Sequence, residues 1–220
     1  VQYLQHRLLK WFDENHRIFP WREDQATKYQ QIVSEILLQR TKAETVAKYY
    51  DTFFSKFPDW NALANASLEE LEEIMKPLGL YHHRARRLYK LGEDIRRRGG
   101  RIPGDENELR DSGFIGLYVT NAFELFILKN RKPLLDVNMS RLLKRYFKPG
   151  DFIDVRHDKE IQELANDIIE VRRCKELNWA ILDYAALVCK VRNPLCGKCV
   201  LNKYCRYYEL FQGDVTEKPE

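Results

Sequence analysis

Cys189, Cys196, Cys199 and Cys205 follow one another as C-x6-C-x2-C-x5-C. Four thiolates within 17 positions can wrap one compact soft-metal centre, and the loop between the first two is long enough to pass round it. A structural zinc ion takes the same ligands. Zinc sites, however, are usually written as two C-x2-C knuckles, and only one such pair occurs here. On spacing an iron–sulfur centre is the better match and zinc the alternative. The fifth cysteine, Cys174, stands outside the pattern and reads as an ordinary buried thiol. Glu35 interrupts the apolar run Ile32-Val33-Ser34-Glu35-Ile36-Leu37-Leu38. A carboxyl on such a helix tends towards burial, which raises its pKa towards that of a general acid; a place on the exposed face is the alternative. Asp136 precedes a helical pattern, where the helix dipole keeps a carboxylate charged, and taken alone it reads as an N-cap.

These side chains must be held by helices. Apolar residues recur at helical spacing over 3–14, 31–38 and 45–57. Ser67 and Glu70 form a capping box that opens a helix running to about Met75. A basic helix is expected from His83 to Arg98, closed by Gly99-Gly100. Further helices are expected at 106–112, 117–128, 137–147, 158–171 and 175–188, with a tight turn at 113–116 and a frayed tail from Gly213. No run alternates as a strand and no repeat is present, so the expected fold class is all-α.

Composition bounds the partners. Apolar residues are 44% and charged residues 32% of 220, which excludes a disordered or collagen-like chain. No apolar run approaches the ~20 residues of a membrane span. An odd count of five cysteines with no visible leader argues against a disulfide framework. A cytoplasmic location is expected. The net charge of +4 permits a polyanionic partner without demanding one. Its distribution is more informative: basic residues gather at His82, His83, Arg84, Arg86, Arg87 and Lys90, and again at Lys190 and Arg192 inside the cysteine loop. Each group alone reads as a solvated face, or as a contact to phosphates.

Together these segments resemble the helix-hairpin-helix DNA glycosylases of the endonuclease III and adenine-mismatch branch. The cysteine spacing matches the endonuclease III pattern. Phe19-Pro20-Trp21-Arg22 resembles the entry motif of mismatch glycosylases. The stretch from Tyr29 to Thr41 is similar to their catalytic helix and wedge loop. Leu78-Gly79-Leu80-Tyr81-His82-His83-Arg84-Ala85 resembles the next turn, and Leu135-Asp136-Val137-Asn138 the catalytic aspartate motif. The hairpin departs from the family's L-P-G-V-G pattern. Ser112-Gly113-Phe114-Ile115-Gly116 replaces one glycine by Phe114, which weakens the usual amide grip on a phosphate, while Gly113 and Gly116 can still form an adapted turn.

The resemblance implies a two-domain helical fold with a [4Fe-4S] cluster loop. Residues 23–132 are expected to form a six-helix barrel-like domain with the hairpin, and 1–22 with 133–220 the cluster domain. It implies that Asp136 stabilises the oxocarbenium-like sugar and activates water, while Glu35 protonates or orients the departing base. Tyr118, 18 positions before Asp136, stands where bifunctional members carry a Schiff-base lysine, so little or no lyase activity is expected. Gln39, Arg40, Leu80, Tyr81, Arg84, Gly113, Gly116, Lys190 and Arg192 are the expected DNA contacts, and Cys189, Cys196, Cys199 and Cys205 the cluster ligands. Among the branch's members, Glu35 and Tyr118 disfavour an oxidised-pyrimidine lyase. Adenine-mismatch members carry a further C-terminal domain, whereas 15 residues follow Cys205 here. The expected activity is removal of thymine, and of uracil, opposite guanine from duplex DNA by a monomer. Alternatives are an adenine-mismatch glycosylase without that domain and a non-catalytic iron–sulfur DNA-binding protein.

Overall fold

A computed structural model describes residues 1–79, 81–105, 107–108, 116–148 and 154–213, without the side chains of 211–213. Among these residues every regular element is a helix and none is a strand. No helix among them is long and apolar enough to cross a membrane. The chain divides into two compact units, Ile18–Asn130 and Val1–Arg17 with Arg131–Glu220.

In the unit 18–130, α2 (Lys28–Leu37) is the central element. Thr27 and Gln30 open it with a capping box: the Gln30 amide donates to Thr27 Oγ1 at 3.2 Å and the Thr27 amide to Gln30 Oε1 at 2.9 Å. α2 packs against α3 (Ala43–Lys56), α6 (Tyr81–Arg97) and α7 (Leu117–Phe123). Surrounded on so many sides, it buries every residue from Ile32 to Leu37. Each large apolar side chain buried in this way contributes roughly 1.5–3 kcal/mol. Between α3 and α6 lie α4 (Trp60–Asn65), capped by Asp59, and α5 (Leu68–Met75), opened by the expected Ser67–Glu70 box. The short α4 carries too little periodicity to be expected from sequence. It lies so close to α6 that a Cβ on Gly92 would stand 2.7 Å from the Leu63 carbonyl oxygen. α6 begins two residues before its expected start. α7 runs into a π-turn, Glu124–Leu128, and ends at Lys129 with φ +62°. Most of the expected helix at 106–112 and turn at 113–116 lies outside the described residues.

In the other unit, α1 (Gln2–Asn15) lays Leu4, Leu8 and Phe12 against α10 (Cys174–Leu187). Arg17 fastens the end of this segment to α10, its amide and Nε donating to the buried Asp183 carboxylate at 3.0 and 2.8 Å. α8 (Val137–Phe147) packs on α10, on α9 (Lys159–Ile169) and on α11 (Arg206–Gly213), a helix not expected from sequence. The segment before α8 is pinned by Asn178 of α10, which is fully buried. Its Oδ1 accepts from the Leu134 amide at 2.6 Å, and its Nδ2 donates to the Cys174 and Lys132 carbonyls at 3.0 and 3.2 Å. Asn178→Ala leaves the Leu134 N–H buried without an acceptor, so a loss of about 1–3 kcal/mol is expected in urea unfolding. An unchanged midpoint would show that Asn178 does not hold this segment.

Candidate active site and metal centre

In the unit 18–130 the structure brings Glu35 and Tyr118 together, although 83 residues separate them. Glu35 is 3% exposed. The half-buried Tyr118 comes from the first turn of α7, and its hydroxyl donates to Glu35 Oε2 at 2.6 Å. A buried carboxyl that accepts a phenolic hydrogen bond is well placed to exchange a proton or orient a ligand group. The phenol itself carries no amine for a Schiff base.

The chain leaves α2 through a tight turn. The Thr41 amide donates to the Leu38 carbonyl at 3.0 Å, and Arg40 takes φ +59°, a left-handed conformation uncommon outside glycine. Arg40 is exposed and Gln39 half-buried, its Oε1 accepting from the Arg87 guanidinium. The second expected turn has Gly79 at φ +66°, and Tyr81 opens α6 half-exposed with its ring against His82, 4.1 Å between centroids. Gly116 is exposed ahead of α7. Leu80 and Gly113 lie outside the described residues. Arg84 needs correction. It was expected at the DNA backbone, but it is 3% exposed, and its guanidinium donates to the carbonyls of Leu37, Leu78 and Gly79 at 3.1, 3.2 and 2.6 Å. A guanidinium engaged in this way is not presented to phosphates. Neighbouring His83, Arg86 and Arg87 are exposed.

In the other unit, Asp136 is the N-cap of α8. Oδ1 accepts from the Asn138 and Met139 amides at 2.9 and 2.8 Å, and Oδ2 from Asn138 Nδ2 at 2.6 Å. Burial raises its pKa above the ordinary aspartate value, and these N–H donors pull the other way. The cap is therefore real, and it leaves open a second use of the carboxylate. Asn138 Oδ1 accepts from Arg141 Nη1 at 3.0 Å; Arg141 in turn donates from Nε to the Cys189 carbonyl at 3.1 Å and from Nη2 to that of Ala185 at 2.9 Å. A continuous chain of hydrogen bonds thus joins Asp136 to the backbone of the first cysteine. Asn138, Arg141 and Arg145 were not singled out from sequence. Their spacing of three and four positions puts them on one face of α8, which is the signal that could have found them.

The cysteine loop is built from short turns. The Leu195 amide donates to the Val188 carbonyl at 3.0 Å, closing the first loop, and 3₁₀ turns follow at Cys196–Lys198 and Asn202–Tyr204. All four cysteines line one recess, together with Arg145, Tyr207 and Tyr208. Tyr184 Oη donates to Cys199 Sγ at 3.2 Å and Arg145 Nη1 to Cys189 Sγ at 3.5 Å, contacts that stabilise thiolate sulfur. Burial pushes the Cys196, Cys199 and Cys205 thiols up, an effect that a bound cation would offset. A single zinc would draw the sulfurs to about 3.8 Å from one another, given Zn–S bonds of about 2.3 Å. The four cysteines that line the recess are the residues that would hold a soft-metal centre. Cys174 is buried at α10, away from this set in sequence, with its thiol pushed up to about 11. Lys190 and Arg192 are exposed on the loop. The purified protein is expected to be brown, with broad visible absorbance that Cys199→Ser abolishes. A colourless protein carrying zinc would overturn this.

Known proteins match this chain in two segments. Residues 33–171 match the HhH-GPD superfamily base excision DNA repair protein family, and residues 189–205 match the iron–sulfur binding domain of endonuclease III. The chain is 34% identical over 213 residues to the thymine-DNA glycosylase of Aeropyrum pernix, covering 94% of this chain and 95% of that protein. It is 31% identical over 204 residues to the thymine/uracil-DNA glycosylase of Methanothermobacter thermautotrophicus, covering 92% and 91%. A solved structure of a thermostable thymine-DNA glycosylase superposes with a TM-score of 0.85 at 30% identity, over 95% of this chain and 96% of that one. With the family match running over residues 33–171 and the Aeropyrum pernix relative covering 94% of this chain, the chain belongs to the HhH-GPD superfamily of base excision DNA repair proteins.

Proposed function

We propose that this DNA glycosylase is monofunctional and removes thymine, and uracil, opposite guanine in duplex DNA. The observation that carries the reading is the Tyr118–Glu35 pair, a phenol at 2.6 Å from a buried carboxyl. The relatives named thymine- and thymine/uracil-DNA glycosylase support it.

The N-glycosidic bond breaks with positive charge on the sugar and negative charge on the leaving base. Asp136, ionised, stabilises the sugar cation and accepts a proton from the attacking water. Glu35 supplies a proton or a hydrogen bond to the departing base, and Tyr118 holds the Glu35 carboxyl in place. Gln39, Arg40 and Tyr81 enter the duplex and stand in for the extruded nucleotide. Gln39 and Arg40 offer donors to the estranged guanine. Lys190 and Arg192 contact phosphates. Cys189, Cys196, Cys199 and Cys205 would hold the iron–sulfur cluster, which would cross-link the loop 189–205; Asn138 and Arg141 tie the start of that loop to Asp136.

The test is a panel of duplexes containing G·T, G·U, G·A and G·C pairs, each treated with and without alkali after incubation. Strand breaks at thymine and uracil, appearing only after alkali, are expected. Breaks without alkali would overturn the monofunctional reading, cleavage at G·A alone the pyrimidine reading, and no cleavage of any duplex the enzymatic one. Tyr118→Phe removes one donor to Glu35 and is expected to slow excision by about fivefold, the equivalent of about 1 kcal/mol. Single-turnover kinetics measure it, and an unchanged rate would show that the hydroxyl does not hold Glu35.

A further inference from the structure

Arg84 is a buried cation, and among the described residues no carboxylate pairs with it. Its charge is met instead by carbonyls at the ends of helical segments. The Leu37 carbonyl closes α2, while those of Leu78 and Gly79 close the 3₁₀ turn Lys76–Leu78. Such carbonyls carry the negative end of a helical turn. One guanidinium therefore bridges two segments far apart in sequence. A second tie runs parallel, with Thr41 Oγ1 donating to the Leu78 carbonyl at 3.3 Å. Both bridged turns contain a left-handed residue, Arg40 at φ +59° and Gly79 at φ +66°. For Arg40 that conformation persists only where the surroundings hold it.

We propose that Arg84 is a positioning residue for base extrusion: it clamps the turn 38–41 to the turn 76–79, so that Gln39, Arg40 and Tyr81 meet DNA as one preformed edge. This rests on the reading that those three residues enter the duplex. Loops ordered in advance spare the entropy that flexible loops lose on binding. A lysine at 84 keeps the charge but is a point donor that cannot span three carbonyls.

The test uses Asp136→Asn as the background, so that DNA is bound without excision. It compares affinity for a G·T duplex with that for the matched duplex, and 2-aminopurine beside the thymine reports unstacking. Arg84→Lys is expected to lower the G·T preference by roughly tenfold and to reduce the fluorescence rise, both read well below the variant's own melting temperature, which falls because buried carbonyls lose their donor. The pair Gln39→Ala and Tyr81→Ala, which removes the edge itself, is expected to lose the preference too. Adding Arg84→Lys to that pair should then cost nothing further, because the clamp has nothing left to position. If the edge variant keeps its preference, the reading of these residues fails and the proposal falls with it. If the edge variant loses it while Arg84→Lys does not, or if the two losses add in full, the clamp alone is overturned. Should Arg84→Lys not fold, Thr41→Val, which removes only the parallel tie, carries the same comparison under the same criteria.

Discussion

Asp136→Asn is expected to lower base release by roughly a thousandfold while duplex affinity stays within about threefold of the parent. The magnitude follows from charge. Two unit charges about 4 Å apart at an effective dielectric near 20 attract by about 4 kcal/mol, which is roughly three decades of rate. Asparagine removes the charge and keeps the shape. Its Oδ1 can still accept from the Asn138 and Met139 amides, so the cap of α8 survives. What is lost structurally is the acceptor for Asn138 Nδ2, set against relief from burying a carboxylate. The stability change should stay within about 1 kcal/mol. The variant is thus expected to be folded, brown and able to bind, but unable to release the base. Full activity would remove Asp136 from the chemistry. Loss of colour together with activity would make its role one of holding the cluster unit.

The same carboxylate sets a pH dependence. In the proposed mechanism Asp136 works ionised, and burial raises its pKa above that of an ordinary aspartate. Base release should therefore fall off on the acid side at a higher pH than an exposed aspartate would give. Stability moves the other way. Because the folded-state pKa exceeds the unfolded one, the ionised group costs stability at neutral pH, and that cost is relieved as pH falls through the folded value. A single-turnover profile and a urea series across the same range separate the two. An acid limb at the ordinary aspartate position would contradict the burial.

Much of this site was legible as residue types at fixed intervals. The cysteine spacing and the Ser67–Glu70 box are local patterns, and local geometry realises them. Glu35 was ambiguous because an apolar helix can still expose one residue. The helices packed around α2 on several sides resolve it, and no window along the chain contains that fact. Arg84 shows the converse. In a basic run it is indistinguishable from Arg86 and Arg87, yet it points inward to three carbonyls and they do not. An arginine's donors satisfy phosphate and carbonyl oxygens alike, so the type alone does not discriminate. The role of Arg141 is hidden from sequence as well, since its partners at Ala185 and Cys189 lie more than forty residues away. The short α4 and α11 were missed because so few turns show little period.

Glu35→Gln is expected to slow thymine release by roughly 10²–10³-fold, the range general acid–base groups supply. Glutamine has the same length and can accept the Tyr118 hydroxyl as Glu35 Oε2 does, so packing around α2 should be preserved. It cannot, however, deliver or take up a proton. The decisive comparison is between leaving groups. Fluorine at the 5-position of uracil withdraws electrons and makes the departing base a more stable anion, which needs less help. If Glu35 acts on the departing base, its replacement should cost much less with 5-fluorouracil than with thymine. If Asp136 acts on the sugar, which both substrates share, Asp136→Asn should cost about the same with either. A Glu35→Gln penalty that is equal for the two bases would move Glu35 off the leaving group and onto water or the sugar. A penalty below about threefold with thymine would leave the Tyr118–Glu35 pair a feature of packing around α2, and the proton on the departing base would have to come from another group.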